Sequence, residues 1–85
     1  MYDTKPIPLF PEDAQWLHGL RVGDPVTRWL GATIPLELTV TAITSDLIRC
    51  GAWDFDRMTG GEVDLDLGWD GRSGVTGSHI RRPAH

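Results

Sequence analysis

Apolar and polar residues alternate along most of the chain after residue 20, and this pattern constrains the fold more than any other feature. The clearest example is the segment LELTVTA, in which Leu36, Leu38, Val40 and Ala42 alternate with polar residues. Because successive side chains of a β-strand point to opposite faces, such alternation is typical of a strand with one buried face. We therefore predict a mainly β protein.

The predicted strands are short and are separated by turn signals. Besides the segment 36–42, strands are predicted in VGDPVTRWL, in LIRCGAWDF, in EVDLDLGW and in the final segment SHIRR. Five short strands with glycine- and proline-containing connections are typical of small barrels and strongly curved sheets. We therefore predict an SH3-like five-stranded barrel or a strongly bent antiparallel sheet.

The segment LIRCGAWDF contains a break in its alternation. Ile48 and Cys50 share one parity, whereas Trp53 and Phe55 share the other. One extra residue at the intervening Gly-Ala pair would return all four side chains to one face, so we predict a β-bulge there.

Residues 1–20 have a different character from the rest. The first eleven residues include three prolines, which favour extended backbone. The segment PEDAQWLHGL then has proline at the first helical position, two acids in the first turn and glycine as a stop signal. We predict an arm and a short helix that directs Trp16, Leu17 and Leu20 towards a small β-barrel domain formed by residues 21–85.

Composition limits the classes of partner. Eighty-five residues with 40% hydrophobic content are enough for one packed domain. The net charge of −4 argues against nucleic acid and anionic membranes, because both attract positively charged surfaces. No apolar run approaches the ~20 residues that span a bilayer, and the first residues lack signal-peptide features, so we expect a cytoplasmic protein. The single cysteine, Cys50, is expected to pack as a buried apolar residue.

The segment WDFDRMTGGEVDLDLGWD, residues 53–70, holds six of the twelve carboxylates of the chain. It predicts a hairpin in which Asp56 faces Glu62 and Asp54 faces Asp64. A register one residue away would place carboxylates beside apolar side chains, at a cost of several kcal/mol each. We therefore expect all four carboxylates on one exposed face.

Three explanations can account for four carboxylates on one face. Solvent together with Arg49, Arg81 or Arg82 would offset their mild repulsion. A Ca²⁺ or Mg²⁺ ion would also neutralise them, but the spacing matches no cation-binding loop, and we predict no metal and no cofactor. A basic peptide or protein is the third explanation.

Our leading hypothesis is a non-enzymatic binding module. It would present Asp54, Asp56, Glu62 and Asp64 to a basic peptide or protein, beside an aromatic residue of the type enriched at interfaces. Trp29 is the best candidate for that exposed aromatic, because its parity is opposite to that of the apolar face of its strand.

Catalytic chemistry is not indicated. Paired carboxylates can hydrolyse glycosides, but they need a cleft and one acid with a raised pKa, whereas these acids are expected to be solvated. Ser78 and His79 are neighbours in a strand, so their side chains point to opposite faces and form no triad. The segment GRSGVTG lacks the lysine and the following helix of a phosphate-binding loop.

Two alternative functions stay open. The first is a small nucleic-acid-binding barrel that uses Arg72, Arg81 and Arg82 with Trp29 for stacking, although the net charge argues against it. The second is a homo-oligomer with a small-molecule site at its interface, where several small domains together provide the concavity that one lacks.

Part of the chain resembles a known family. The motifs G-D-x-V, L-x-V, I-x-C-G, W-x-F-D-R-x-T-G-x-E-x-D and L-G-W fall within residues 23–69. They resemble a family of small uncharacterised bacterial proteins, and the Gly-Asp turn before a strand resembles the first strand of SH3-like barrels. The resemblance implies family membership and a small barrel, and it implies no catalytic residue.

Overall fold

The computed structural model describes residues 7–31 and 33–83, which form a mainly β structure. A 3-10 turn at Pro11–Asp13 continues into α1 (Ala14–His18), and a second 3-10 turn spans Leu65–Leu67. The strands are β1 (Pro25–Leu30), β2 (Ile34–Thr39), β3 (Ala42–Ile43), β4 (Leu47–Cys50), β5 (Trp53–Asp56), β6 (Glu62–Val63) and β7 (Ser78–Arg81). None of the described helices is long and apolar enough to span a membrane.

The strands form two antiparallel sheets. The first has the order β2-β1-β7 and the second the order β3-β4-β5-β6. The chain passes between them at Val40 and Thr41, and an isolated bridge from Gly61 to His79 joins them on the other side. Within the described residues, this isolated bridge joins the two sheets where a closed barrel would have a continuous ladder of strand hydrogen bonds. The predicted SH3-like five-stranded barrel is therefore not confirmed.

The N-terminal helix forms where the sequence predicts it. The amide of Gly19 caps it by donating to the last turn, including the carbonyl of Gln15 at 3.1 Å. Leu17 and Leu20 are buried in the core and Trp16 packs against that core, as predicted. Part of the predicted arm, residues 1–6, lies outside the described residues.

One apolar core joins the helix to both sheets. Its buried members are Leu17, Leu20, Val26, Val40, Ile48, Cys50, Phe55 and Ile80. Burial of a large apolar side chain stabilises a fold by about 1.5–3 kcal/mol, so these residues hold the two sheets and the helix together. The inner face of each sheet is the face that carries these side chains.

The predicted β-bulge is wrong, although its consequence is correct. The Gly51-Ala52 pair forms a two-residue turn between β4 and β5, and Gly51 has a φ of +65° that suits glycine. Ile48 then lies opposite Phe55, and Cys50 lies opposite Trp53. Opposed residues of an antiparallel pair share a face, so a tight turn restores the single apolar face as well as a bulge would.

The strand predicted at 36–42 is divided between the two sheets. β2 ends at Thr39, and Val40 is buried at the passage to β3. Because β2 lies at the edge of its sheet, Ile34 and Leu36 keep 57% and 42% of their surface exposed. The alternation of apolar and polar residues predicts which side chains of β2 share a face. It does not predict how much of that face the second sheet covers.

Candidate functional site

The predicted acidic face does not form, because β5 and β6 pair in a different register. Phe55 lies opposite Glu62, and Asp54 lies opposite Val63. This register differs by one residue from the predicted one, so Glu62 shares the inner face with Phe55 while Asp54 stays on the outer face. The carboxylates therefore have separate environments.

Glu62 is buried in an ion pair that connects the two sheets. Its side chain is 1% exposed, and the Nε of Arg28 on β1 donates to its Oε1 at 2.8 Å. The guanidinium carbon of Arg28 also lies 5.1 Å from the centroid of a Trp53 ring. A charge-assisted hydrogen bond of this geometry offsets much of the cost of removing the carboxylate from water.

Asp56 has a structural role in the turn between β5 and β6. Its carboxylate is buried, and its Oδ2 accepts hydrogen bonds from the amides of Met58 and Thr59, both at 2.9 Å. A guanidinium nitrogen of Arg72 lies 3.9 Å from the other oxygen. Asp56 is therefore not available to bind a partner.

Asp54 is the carboxylate that best matches the explanation based on neighbouring arginines. Arg49 lies directly opposite on β4, and its Nε donates to Asp54 Oδ1 at 2.8 Å. This hydrogen bond and the negative charge of Asp54 raise the pKa of Arg49.

Asp64 ends the hairpin instead of continuing it. Its Oδ1 accepts hydrogen bonds from the amides of Asp66 at 3.1 Å and Leu67 at 3.3 Å, which caps the 3-10 turn. Gly68 follows with a left-handed φ of +72°, and the backbone of Trp69 pairs with that of Asp64. The predicted strand over 62–69 is confirmed only at Glu62–Val63, because beyond them a local carboxylate-to-amide bond competes with the β ladder.

The resulting loop, residues 64–70, is called the 64–70 turn below. Leu65 is 87% exposed and Leu67 is 59% exposed. Asp66 and Asp70 are also exposed, and neither forms an ion pair with any residue that the structure describes. The turn therefore presents two leucines and two carboxylates to solvent.

The base of the 64–70 turn is held by Trp69. This side chain is half-buried, and a Cβ on Gly77 would lie only 2.7 Å from its ring. The indole therefore packs directly on the backbone of Gly77. The sequence carries a signal for this turn, an aspartate at an N-cap position and a glycine after the last turn residue.

Trp29 lies on the outer face of the first sheet, opposite Pro35 on β2 and His79 on β7. It is half-buried, and its neighbours in two adjacent cavities include Phe10 and Arg81. The four carboxylates of the predicted acidic face line neither cavity. The structure therefore separates Trp29 from the carboxylates with which the sequence grouped it.

Two of the three arginines proposed for nucleic-acid binding come close to Trp29. Arg81 and Arg82 line a 330 Å³ cavity with Trp29, Pro83 and Asp13. The remaining arginine, at position 72, lies beside the β5–β6 turn instead. No sequence pattern connects these residues, because the cavity joins the 3-10 turn before α1, β1 and the end of β7.

Ser78 and His79 direct their side chains to opposite faces of β7, as predicted. Ser78 is fully buried, whereas the half-buried ring of His79 lies 4.7 Å from the ring of Phe10. Burial and the charge of Arg81 lower the pKa of His79. Within residues 7–31 and 33–83, no group of three or more His, Cys, Asp or Glu side chains is placed to hold a metal ion.

Cys50 is buried in the core, as predicted. Burial raises the pKa of its thiol from 9.0 to about 11, and the charge of Asp54 adds to this effect. At neutral pH the thiolate form is therefore rare, so Cys50 has the properties of an apolar core residue rather than of a nucleophile.

The raised pKa of Cys50 predicts a pH-dependent stability. A thiol with a raised pKa in the folded state stabilises the fold fully below pH 9, and this contribution is lost as the pH rises towards 11. We expect the free energy of unfolding to fall by about 1–2 kcal/mol over this range, after allowance for solvent screening. Urea unfolding at several pH values measures this fall in the free energy of unfolding, and Cys50→Ala is the control. An equal fall in the alanine variant would show that another group is responsible.

Comparison of the chain with protein-family models, with curated proteins and with solved structures finds no match, so the resemblance of residues 23–69 stays a prediction.

Proposed function

We propose that this domain is a non-enzymatic binding module, and that its partner is a basic peptide or protein that also carries apolar side chains. The observation that supports this most is the exposure of Leu65 on the 64–70 turn, beside carboxylates that form no ion pair within the described residues. A partner with apolar and cationic side chains complements both features of this surface.

The distribution of ion pairs supports the choice of a basic partner. Within the described residues, five arginines pair with Glu12, Asp13, Asp54, Asp56 and Glu62. The three carboxylates of the 64–70 turn are outside this network. No described guanidinium lies within ion-pair distance of these three carboxylates, and their negative charge favours the approach of a cationic partner.

The rigidity of the 64–70 turn supports binding rather than a flexible connection. The carboxylate of Asp64 caps it, the backbone of Trp69 closes it with hydrogen bonds of 2.8 and 2.9 Å, and Gly77 supports the indole. Leucines held on such a turn lose little conformational entropy when they are covered, which increases affinity. The cytoplasmic location and the bacterial family inferred from the sequence remain part of this proposal.

The test is a titration of the labelled protein with a short peptide of lysine and leucine, followed by amide NMR. We expect saturable shifts centred on the 64–70 turn. Replacing both Leu65 and Leu67 by serine should weaken binding at least about tenfold, because burial of one leucine is worth about 1.5–3 kcal/mol. Val22→Ser is the matched control, since Val22 is 63% exposed elsewhere on the surface.

Two outcomes would contradict the proposal. Equal binding by the double serine variant would show that the leucines are not the contact surface. Equal binding of a peptide with glutamate in place of lysine would remove the role of the carboxylates. Asp66→Asn provides a further check, because loss of an exposed carboxylate should slow association at low salt and have little effect at high salt.

A further inference from the structure

A second candidate site lies on the outer face of the first sheet and is independent of the 64–70 turn. The segment before α1 covers only part of this face. Phe10 packs on His79, and the guanidinium of Arg81 lies 3.9 Å from the centroid of the Phe10 ring. Trp29 lies next to this covered region and lines the cavities on both sides of Arg81.

Asp13 orients two arginines at this site. Its carboxylate is buried, and it accepts one hydrogen bond from the Nε of Arg81 and one from the Nε of Arg82, both at 3.0 Å. The Nη nitrogens of Arg82 make no hydrogen bond within residues 7–31 and 33–83, and its side chain is 57% exposed. Asp13 therefore fixes the guanidinium of Arg82 through Nε, and the Nη nitrogens can donate hydrogen bonds to a ligand.

We propose that this cavity binds a nucleoside monophosphate. The base would stack on Trp29, and the phosphate would accept hydrogen bonds from the Nη nitrogens of Arg82. The cavity volume of 330 Å³ lies at the lower end of the range of about 300–1,000 Å³ for small-molecule sites. A planar group that carries an anion matches an aromatic wall beside the Nη nitrogens of Arg82, which Asp13 leaves available.

The local charge balance favours a free nucleotide over a nucleic-acid strand. Glu12 and Asp13 pair with Arg81 and Arg82, so two negative charges offset two positive ones. A strand needs a positive surface along several phosphates, because release of counterions drives its binding. A single base and phosphate need only one stacking surface and one donor group.

The test is an NMR titration of the full chain with adenosine monophosphate, with adenosine and inorganic phosphate as separate partial probes. We expect a saturable shift of one indole N–H signal, which is assigned to Trp29 by its loss in Trp29→Leu. Each partial probe should bind at least about tenfold more weakly, because it lacks either stacking or the charged hydrogen bonds. Equal binding of inorganic phosphate would contradict the role of Trp29.

Arg82→Gln and Arg49→Gln form a matched pair. The two arginines are 57% and 58% exposed, and each donates through Nε to one aspartate. Both variants change the net charge equally, but only Arg82 lines the cavity. We expect Arg82→Gln to weaken adenosine monophosphate binding about three- to tenfold and Arg49→Gln to leave it unchanged.

The remaining outcomes separate the alternatives. Equal effects of the two glutamine variants would overturn the proposal, because binding would then follow net charge alone. Much tighter binding of a single-stranded oligothymidine than of adenosine monophosphate would overturn the assignment to a free nucleotide. If Trp29→Leu does not fold, Arg82→Gln still tests the site, because its side chain is exposed and its loss leaves the core intact.

Discussion

Replacing Glu62 by alanine is expected to lower the free energy of unfolding by about 3–5 kcal/mol. The substitution leaves the guanidinium of Arg28, only 14% exposed, without its carboxylate partner. It also removes a side-chain hydrogen bond between the first sheet and the second. Because small domains are stable by only about 5–15 kcal/mol, the variant should show a large fall in its urea midpoint.

A double variant distinguishes the effect of losing the two charges from the effect of losing side-chain volume. Replacing Arg28 by methionine together with Glu62 by leucine removes both charges and keeps similar volume. Buried ion pairs replaced in this way often change stability little or increase it, so we expect a value within about 2 kcal/mol of the original protein. If the double variant were as unstable as Glu62→Ala, shape rather than charge would explain the loss.

Replacing Gly71 by alanine is expected to cost about 3 kcal/mol, at the upper end for overpacking. A Cβ at Gly71 would overlap the backbone oxygen and carbon of Gly61, and backbone atoms cannot move aside as a flexible side chain can. Gly71 has no positive φ, so the effect is steric rather than conformational. The carbonyl of Gly71 also accepts a hydrogen bond from the hydroxyl of Thr59, which the displacement would disturb.

Gly19→Ala is the control for this prediction. A Cβ there would lie 3.4 Å from the carbonyl oxygen of Gln15, an ordinary contact, and Gly19 has a φ of −91°. The free energy of unfolding of the Gly19→Ala variant should differ from that of the original protein by less than about 1 kcal/mol. Similar losses in the two alanine variants would contradict a specific close approach between Gly61 and Gly71.

The register of the β5–β6 hairpin differs from the one that the sequence predicts. From the sequence alone, a register that buries a carboxylate beside Phe55 is unfavourable, because the carboxylate loses its contact with water. The structure adopts that register, because Arg28 from the other sheet reaches Glu62. These residues are 34 positions apart, so no local pattern predicts their contact. Once Glu62 turns inward, the four carboxylates no longer share a face.

The 64–70 turn differs from the predicted strand for a local reason. The alternation in EVDLDLGW fits a strand, but Asp64 can bond to the amides that follow it and Gly68 can adopt a left-handed conformation. Both signals are in the sequence, and capping preferences outweighed the period-two pattern. The exposed leucines that support the proposed function follow directly from this local choice.

The sequence by itself determined the elements that depend on neighbouring residues. The short helix before Gly19, the β class, the turns and the inward direction of Ile48, Cys50 and Phe55 all follow from periodicity and turn residues. The tertiary structure alone decided which charges are buried and which are free. The energy of a buried carboxylate depends on a partner brought from another sheet, and that partner is set by packing over the whole chain rather than by local sequence.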